Sequence, residues 1–264
     1  MEQQYLDLGK KILTEGKIRK DRTGVGTIGL FGAQIRCNLT QGEFPLLTTK
    51  KVFFKPMVAE LIWFLEGSTD NKRLNELGAK IWDKWQTEDG SLGKIYGHQW
   101  VKWEEIKLIP LNDWVKDSSP YTKAGYKYQD DFYTTAMLPP PYGSLVILKK
   151  EHNQISELIH NLKTKPFSRR HVISAWNVAD LPDESKTPQQ NVLDGKMCLA
   201  PCHCLFQFHV EEMTDDEIVS YAKQQHFSYV MLSNTELLER KEELKLKTKK
   251  LNCQLYQRKL VCAY

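Results

Sequence analysis

The longest apolar stretch in the chain, Met57–Leu65, reads Met-Val-Ala-Glu-Leu-Ile-Trp-Phe-Leu and carries one carboxylate, Glu60. It is far too short to cross a bilayer, which takes about 20 apolar residues. Pro56 suits a first helical turn, where a missing N–H costs nothing, so residues 56–66 are expected to form a helix. A carboxylate desolvated on such a helix has its pKa pushed upward and becomes a candidate proton donor or relay. On the helix edge it is an ordinary, partly exposed Glu.

The chain around this helix has 264 residues, ample for one well-buried core. With 41% hydrophobic and 27% charged residues it is neither disordered nor low-complexity. Its 37 Lys+Arg against 33 Asp+Glu leave +4, a weak bias that does not demand nucleic acid. The start, Met-Glu-Gln-Gln-Tyr, lacks a basic region followed by an apolar run, so no secretory signal is expected. Six cysteines (Cys37, Cys198, Cys202, Cys204, Cys253, Cys262) then argue for reduced thiols in a cytoplasmic setting.

Periodicity places further elements. Residues 1–16 read as an amphipathic helix with Tyr5, Leu8, Ile12 and Leu13 near helical spacing and Gly16 as the stop. Thr27–Leu39 alternates like a strand, interrupted by Gly29 and Gly32. Asn71–Leu77 is a short charged helix ending at Gly78, and Ile81–Trp100 an aromatic-lined loop with a short strand. The proline-clustered segment 102–145 has no clear period and reads as an elaborated loop. A helix is expected over Lys150–Leu162, and strands over Arg170–Trp176, Pro201–Val210 and Leu251–Arg258. The charged block 211–250, with Thr214-x-x-Glu217 and Ser233-x-x-Glu236 as capping boxes, reads as a helical hairpin whose Lys and Glu interleave on a solvated face. This order of elements suggests a mixed α+β domain with insertions.

Several residues could carry chemistry. Cys202 sits in Ala-Pro-Cys-His-Cys, where a nearby cation would hold it as a thiolate nucleophile; the alternative is a buried, inert thiol. Zinc would draw on Cys198, Cys202, His203 and Cys204, but a second Cys or His pair at finger distance is missing. Arg169 and Arg170 lie between a helix and a strand, a setting that suits an anion such as phosphate. Arg22, in Asp-Arg-Thr-Gly-Val-Gly-Thr, also suits a phosphate, although no Gly-Lys-Ser/Thr closes a P-loop. Each arginine alone is equally a solvated surface residue.

The combination is more informative than any one of them. Asp21-Arg-Thr-Gly-Val-Gly-Thr27, Phe44-Pro-Leu-Leu-Thr-Thr-Lys-Lys51, Glu60-Leu-Ile-Trp-Phe-Leu-Glu-Gly67, Ile81-Trp-Asp and Leu92-Gly-Lys-Ile-Tyr-Gly-His-Gln-Trp100 follow one another in order. So do Ser168-Arg-Arg, Ser174-Ala-Trp-Asn-Val178, Ala200-Pro-Cys-His203, Phe206-Gln-Phe208 and Cys253-Gln-Leu-Tyr-Gln-Arg258. Together they resemble the thymidylate synthase family over most of the chain. The resemblance implies an α+β fold, a mixed β-sheet packed with helices. It also implies a single domain over 1–264 with insertions at 102–145, 181–197 and 211–250.

It further implies a methyltransferase that converts dUMP to dTMP, with 5,10-methylenetetrahydrofolate as one-carbon donor and reductant and no metal. Cys202 would add to C6 of the pyrimidine, and Arg258 would contact both that thiol and the substrate phosphate. Arg22 would bind the same phosphate, with Arg169 and Arg170 reaching it across a homodimer interface. Glu60 would order water and relay protons to O4 and C5; Tyr96 would lie beside the nucleophile, and His203 and Gln257 would support the site. Trp82 and Trp85 would pack on the folate ring and Lys50 lie near its glutamate tail, while Phe53 takes no polar role. No membrane and no specific nucleic acid are implied as partners.

After Arg258 the resemblance stops. The family continues with Ser-x-Asp-Val-x-Leu-Gly, an Asn-bearing helix that recognises the base, and a His-x-Tyr pair; here Lys-Leu-Val-Cys-Ala-Tyr follows. A C-terminally incomplete chain is therefore expected. Two alternatives stay open: a dUMP or dCMP hydroxymethylase, and a non-catalytic truncated or split-gene product that needs a C-terminal partner.

Overall fold

Residues 2–15 form the first helix, α1 (Glu2–Glu15), as the spacing implies. It stops at Gly16, where a Cβ would lie 2.3 Å from the Ile12 carbonyl oxygen. The structure, a computed structural model, describes residues 1–20, 24–37, 44–129, 135–137, 144–212, 214–217 and 254–256. It is an α+β chain that divides into two compact units. One comprises residues 1–52, 157–174 and 202–264, the other 53–156 and 175–201.

In the first unit α1 is followed by an antiparallel hairpin of β1 (Lys17–Arg19) and β2 (Thr27–Gly29), with Ile18 opposite Ile28. The strand expected over Thr27–Leu39 ends at Gly29. Residues 30–37 carry no regular structure, and Gly32 adopts a φ of 78° that breaks an extended run; Leu39 lies outside the described residues. Helix α7 (Gln154–Thr164) buries Leu158. It begins later than expected because residues 150–152 are held in a strand. Strands β7 (Val172–Ser174), β8 (Leu205–His209) and β9 (Gln254–Tyr256) form an antiparallel sheet in that order. Its register sets Ile173 against Phe206 and Phe208 against Leu255.

Two strands are shorter than their sequence suggests. In Arg170–Trp176 Ile173 and Ala175 are fully buried, whereas Val172 and Trp176 are exposed, the alternation of a strand covered on one face. In Pro201–Val210 the ladder begins only at Leu205; proline has no N–H to give it, and residues 202–204 run irregularly. Of the expected hairpin at 211–250, the first cap is visible. Thr214 N donates to Glu217 Oε2 (2.8 Å) and Glu217 N returns to Thr214 Oγ1 (3.3 Å), a reciprocal capping box. The rest of that hairpin lies outside the described residues.

The second unit opens with α2 (Phe54–Leu65), whose first turn contains Pro56, and α3 (Asn71–Glu76), capped by the Asp70 carboxylate on Lys72 N. Gly78 follows with a φ of 90°. The short strand expected within Ile81–Trp100 is instead a helix, α4 (Tyr96–Val101), because Tyr96, Gln99 and Trp100 are buried at helical spacing.

The segment expected as an elaborated loop carries a sheet. Strand β3 (Trp103–Pro110) pairs antiparallel with β6 (Ser144–His152) from Trp103–His152 to Pro110–Leu145. β4 (Lys127–Tyr128) and β5 (Thr135–Met137) also pair with β6. One face buries Ile109, Val146 and Leu148 under Trp114 and Tyr121, which belong to α5 (Leu111–Lys116) and α6 (Ser119–Lys123). The other face exposes Ile106 and Leu108. Apolar residues on both faces hide the two-residue period that would have marked the strand.

Residues 181–197 leave and return at one place: Met197 N donates to Asp180 O (2.9 Å). The excursion carries its own helix, α8 (Pro188–Leu193), capped by Thr187. Inside it Asn191, 2% exposed, accepts from Asp183 N (2.8 Å) and donates to Asp183 O (3.0 Å) and Thr187 O (3.2 Å).

Gly93 joins this excursion to the segment before α4. Its φ is 70°, and a Cβ would meet the Lys196 carbonyl oxygen at 2.0 Å. Gly93→Ala should therefore lower the unfolding free energy by at least about 2 kcal/mol. Gly78→Ala, at positive φ but in open space, should cost only about 1 kcal/mol. Urea denaturation of the two variants checks the difference.

Candidate active site

Helix α2 turns Ala59, Trp63 and Phe64 into the core and leaves Glu60 half-buried at its margin. There Trp82 Nε1–H donates to Glu60 Oε1 (2.6 Å). Burial pushes the Glu60 carboxyl above its ordinary range, and the indole N–H only partly opposes this. The protonated form is thus favoured more than in water, as a proton relay requires.

An aromatic wall surrounds this carboxyl. Trp82, 7% exposed, packs edge-on against Trp85 (5.6 Å between centroids) and Tyr96 (6.0 Å). Tyr96 in turn lies 5.0 Å from Phe64, which packs on Trp100 at 5.5 Å, and Trp63 sits 6.3 Å from Trp82. Trp85 is half-buried and so keeps part of its surface available to a planar ring. Each partner is held locally. The fully buried Asn71 donates through Nδ2 to Asp83 Oδ1 (2.8 Å) and Gln86 Oε1 (2.9 Å), fixing the turn that carries Trp82 and Trp85. Trp63 Nε1–H donates to Asp70 O (3.0 Å). Gly97 lets α4 approach α2, since a Cβ there would stand 2.9 Å from Phe64 O.

The first unit holds the other described candidates. Cys202 is exposed in the irregular segment before β8, and the His203 ring lies 6.4 Å from the Phe206 ring. Arg169 and Arg170 occupy the turn before β7, both exposed; Arg170 N donates to Ser168 Oγ and Arg169 O accepts from Gln207 Nε2. Neither guanidinium forms an ion pair among the described residues. Lys50 is exposed in a bend anchored by Glu2, whose carboxylate accepts from Thr48 N, Thr48 Oγ1 and Thr49 N. Arg22, Gln257 and Arg258 lie outside the described residues.

Cys198 is buried, and desolvation pushes its thiol up to about 12, so it stays a protonated, inert thiol. Among the described residues no three His, Cys, Asp or Glu side chains are placed to hold a metal ion. Nor is any described helix long and apolar enough to cross a membrane.

The structure thus gathers Glu60, Trp82, Trp85 and Tyr96 into one wall. Sequence reasoning missed Trp63, Phe64 and Trp100 in it, although Trp63 and Phe64 stand in the same apolar run as Glu60. It also missed Asn71, whose role depends on a contact twelve residues away.

Comparison with known proteins places the chain in one family. The thymidylate synthase family pattern matches residues 3–260. Over 209 residues the chain is 44% identical to a thymidylate synthase of Pseudomonas fluorescens (strain SBW25). That match covers 79% of this chain and 60% of the relative's length. The chain belongs to the thymidylate synthase family.

The raised carboxyl gives a pH signature. A folded-state pKa above the unfolded value means that the folded chain binds this proton more tightly. Glu60's contribution to stability is then fully present below the ordinary carboxylate range and is lost as pH rises through the raised value. Glu60→Gln, which keeps an acceptor for Trp82, should be more stable than the parent chain at pH 7. The gain should disappear below about pH 4, as measured by urea denaturation at both pH values.

Proposed function

We propose that the chain converts dUMP to dTMP, with 5,10-methylenetetrahydrofolate as the second substrate. The observation that carries this reading is the half-buried Glu60 carboxyl, held by Trp82 in an aromatic wall, in a chain of this family. The half-buried Trp85 suits a flat, apolar ring system such as the folate's, whereas the buried Trp82 serves mainly to hold Glu60. When bound, the folate supplies the one-carbon unit and the hydride.

The chain's own residues do the rest. The Cys202 thiolate adds to C6 of the pyrimidine, which makes C5 nucleophilic; the C6–S bond breaks and C5=C6 returns once the C5 proton and the folate nitrogen have left and hydride has reached the new one-carbon group. Glu60 orders water, stabilises charge at O4 by proton donation, and assists proton transfer at C5. Arg258 contacts the thiol and, with Arg22, binds the phosphate. Tyr96, His203 and Gln257 line the site, and Lys50 meets the anionic tail of the folate. The exposed guanidinium groups of Arg169 and Arg170 suit a phosphate held by a second copy of the chain, so the working form is a homodimer. Its setting is the cytoplasm.

Tritium release from [5-³H]dUMP in the presence of methylenetetrahydrofolate tests the reading. The full chain should release tritium, Cys202→Ala should not, and Glu60→Gln should be slower by about 100-fold or more. The product's mass separates a methyl from a hydroxymethyl group at C5. An absence of release at saturating substrates overturns the reading. For the shared phosphate site, Arg169→Ala mixed with Cys202→Ala should recover part of the lost activity. A mixture no better than its components excludes it.

A further inference from the structure

Helix α4 is six residues long, too short to hold itself together, so contacts alone set its place. On one side those contacts are the rings of Tyr96 and Trp100 against Phe64. On the other side lies a polar network that the proposed chemistry does not use. Gln99 is fully buried, and both ends of its side-chain amide are hydrogen-bonded. Nε2 donates to Lys94 O (2.8 Å) and Asp180 Oδ2 (2.8 Å), and Oε1 accepts from Asn177 Nδ2 (3.1 Å). Its backbone carbonyl accepts from Gln154 Nε2 (2.7 Å). Asn177 Nδ2 also reaches Asp180 Oδ2 (2.9 Å).

The network runs on into the inserted sheet. Lys94 Nζ bonds Glu104 Oε2 (2.6 Å) and lies 3.8 Å from Asp180 Oδ1. Glu104, on β3, also pairs with Lys149 of β6, and His98 Nε2 stands 3.9 Å from its other oxygen. Lys149 Nζ also lies 3.8 Å from the more exposed Glu151 Oε1, so two lysines face three carboxylates. Burial alone would push the Glu104 carboxyl up, but Lys149 and Lys94 outweigh it and hold it below the usual range. Burial keeps His98 below its ordinary value, so it adds little positive charge. Glu104 bonds both lysines, and its removal leaves each of them with no carboxylate nearer than 3.8 Å among the described residues, which favours release of the segment.

We propose that Glu104, from the inserted sheet, and Gln99 are positioning residues that hold residues 94–101, and with them Tyr96, against the Glu60–Trp82 wall. The inserted sheet is then a buttress for the site. The kinetic half of this proposal rests on the reading above; the structural half does not. Glu105, the next residue on β3, faces the other way and binds Tyr126 and His152, which supplies an internal control.

The test uses the full chain and the variants Gln99→Ala, Glu104→Ala, Glu104→Gln and Glu105→Ala, read by amide hydrogen exchange and by steady-state kinetics. Gln99→Ala and Glu104→Ala should speed exchange over 94–101 by about tenfold or more, while Glu105→Ala leaves that segment as in the parent. Glu104→Gln, which keeps an acceptor for one lysine, should recover part of the protection. In the same variants kcat should fall about tenfold or more with the dUMP KM within about twofold. If Gln99→Ala does not fold, Glu104→Ala, at a partly exposed site, decides alone. Unchanged exchange at 94–101, or an equal rise in Glu105→Ala, overturns the proposal, as does faster exchange with kcat intact. A parent chain that releases no tritium defeats the reading above and leaves the exchange result to decide whether the buttress exists.

Discussion

One hydrogen bond organises the second unit: the Trp82 indole N–H on the Glu60 carboxyl. A carboxyl on an apolar helix is costly to bury, and a single neutral donor relieves that cost without neutralising the group. An arginine or lysine in its place would lower the pKa and remove the acid. Choosing an indole keeps the proton available but leaves the geometry dependent on a bulky ring. The unit's core is closely packed: Trp63, Leu74 and Leu92 are fully buried, and Trp63 lies against Trp82. Asn71 sets the turn beneath Trp82, and Gly97 allows α2 and α4 to meet.

Much of this was legible in the residues. Helix α2 was clear because its apolar run, its first-turn proline and its lone carboxylate agree. Helix α3 was clear because its charged run stops at Gly78, while its Asp70 cap emerged only with the fold. The Thr214–Glu217 box appeared as its spacing implies. What failed did so where local pattern and tertiary contact part. In Ile81–Trp100 aromatic residues are so dense that several periods fit equally well, and burial of Gln99 among them chooses the helix. In the sheet of β3 and β6 Ile106 and Leu108 face outward, so β3 carries no clean alternation. Strand β8 starts late because Pro201 cannot join a ladder.

The candidate site divides the same way. Glu60 was singled out as the one carboxylate in its run, and Trp82, Trp85 and Tyr96 by resemblance. Gln99, Asn177 and Asp180 were not, because neutral amides and a single Asp advertise nothing until a fold brings residues 78 and 81 positions apart into contact. The cysteines show how little composition says about reactivity. Cys198 is sealed and kept protonated, whereas Cys202 is exposed. Burial distinguishes them, and residue type does not.

The excursion at 181–197 closes on itself through Met197 N and Asp180 O, and the Asn191 side chain inside it bonds Asp183 N, Asp183 O and Thr187 O. A loop whose two ends are already clasped transmits little strain when its tip changes. Exposed residues 184–186 at that tip are therefore a natural port, where evolution or an engineer can splice in a tag, a binding peptide or a fluorescent reporter while the clasp shields the rest of the protein.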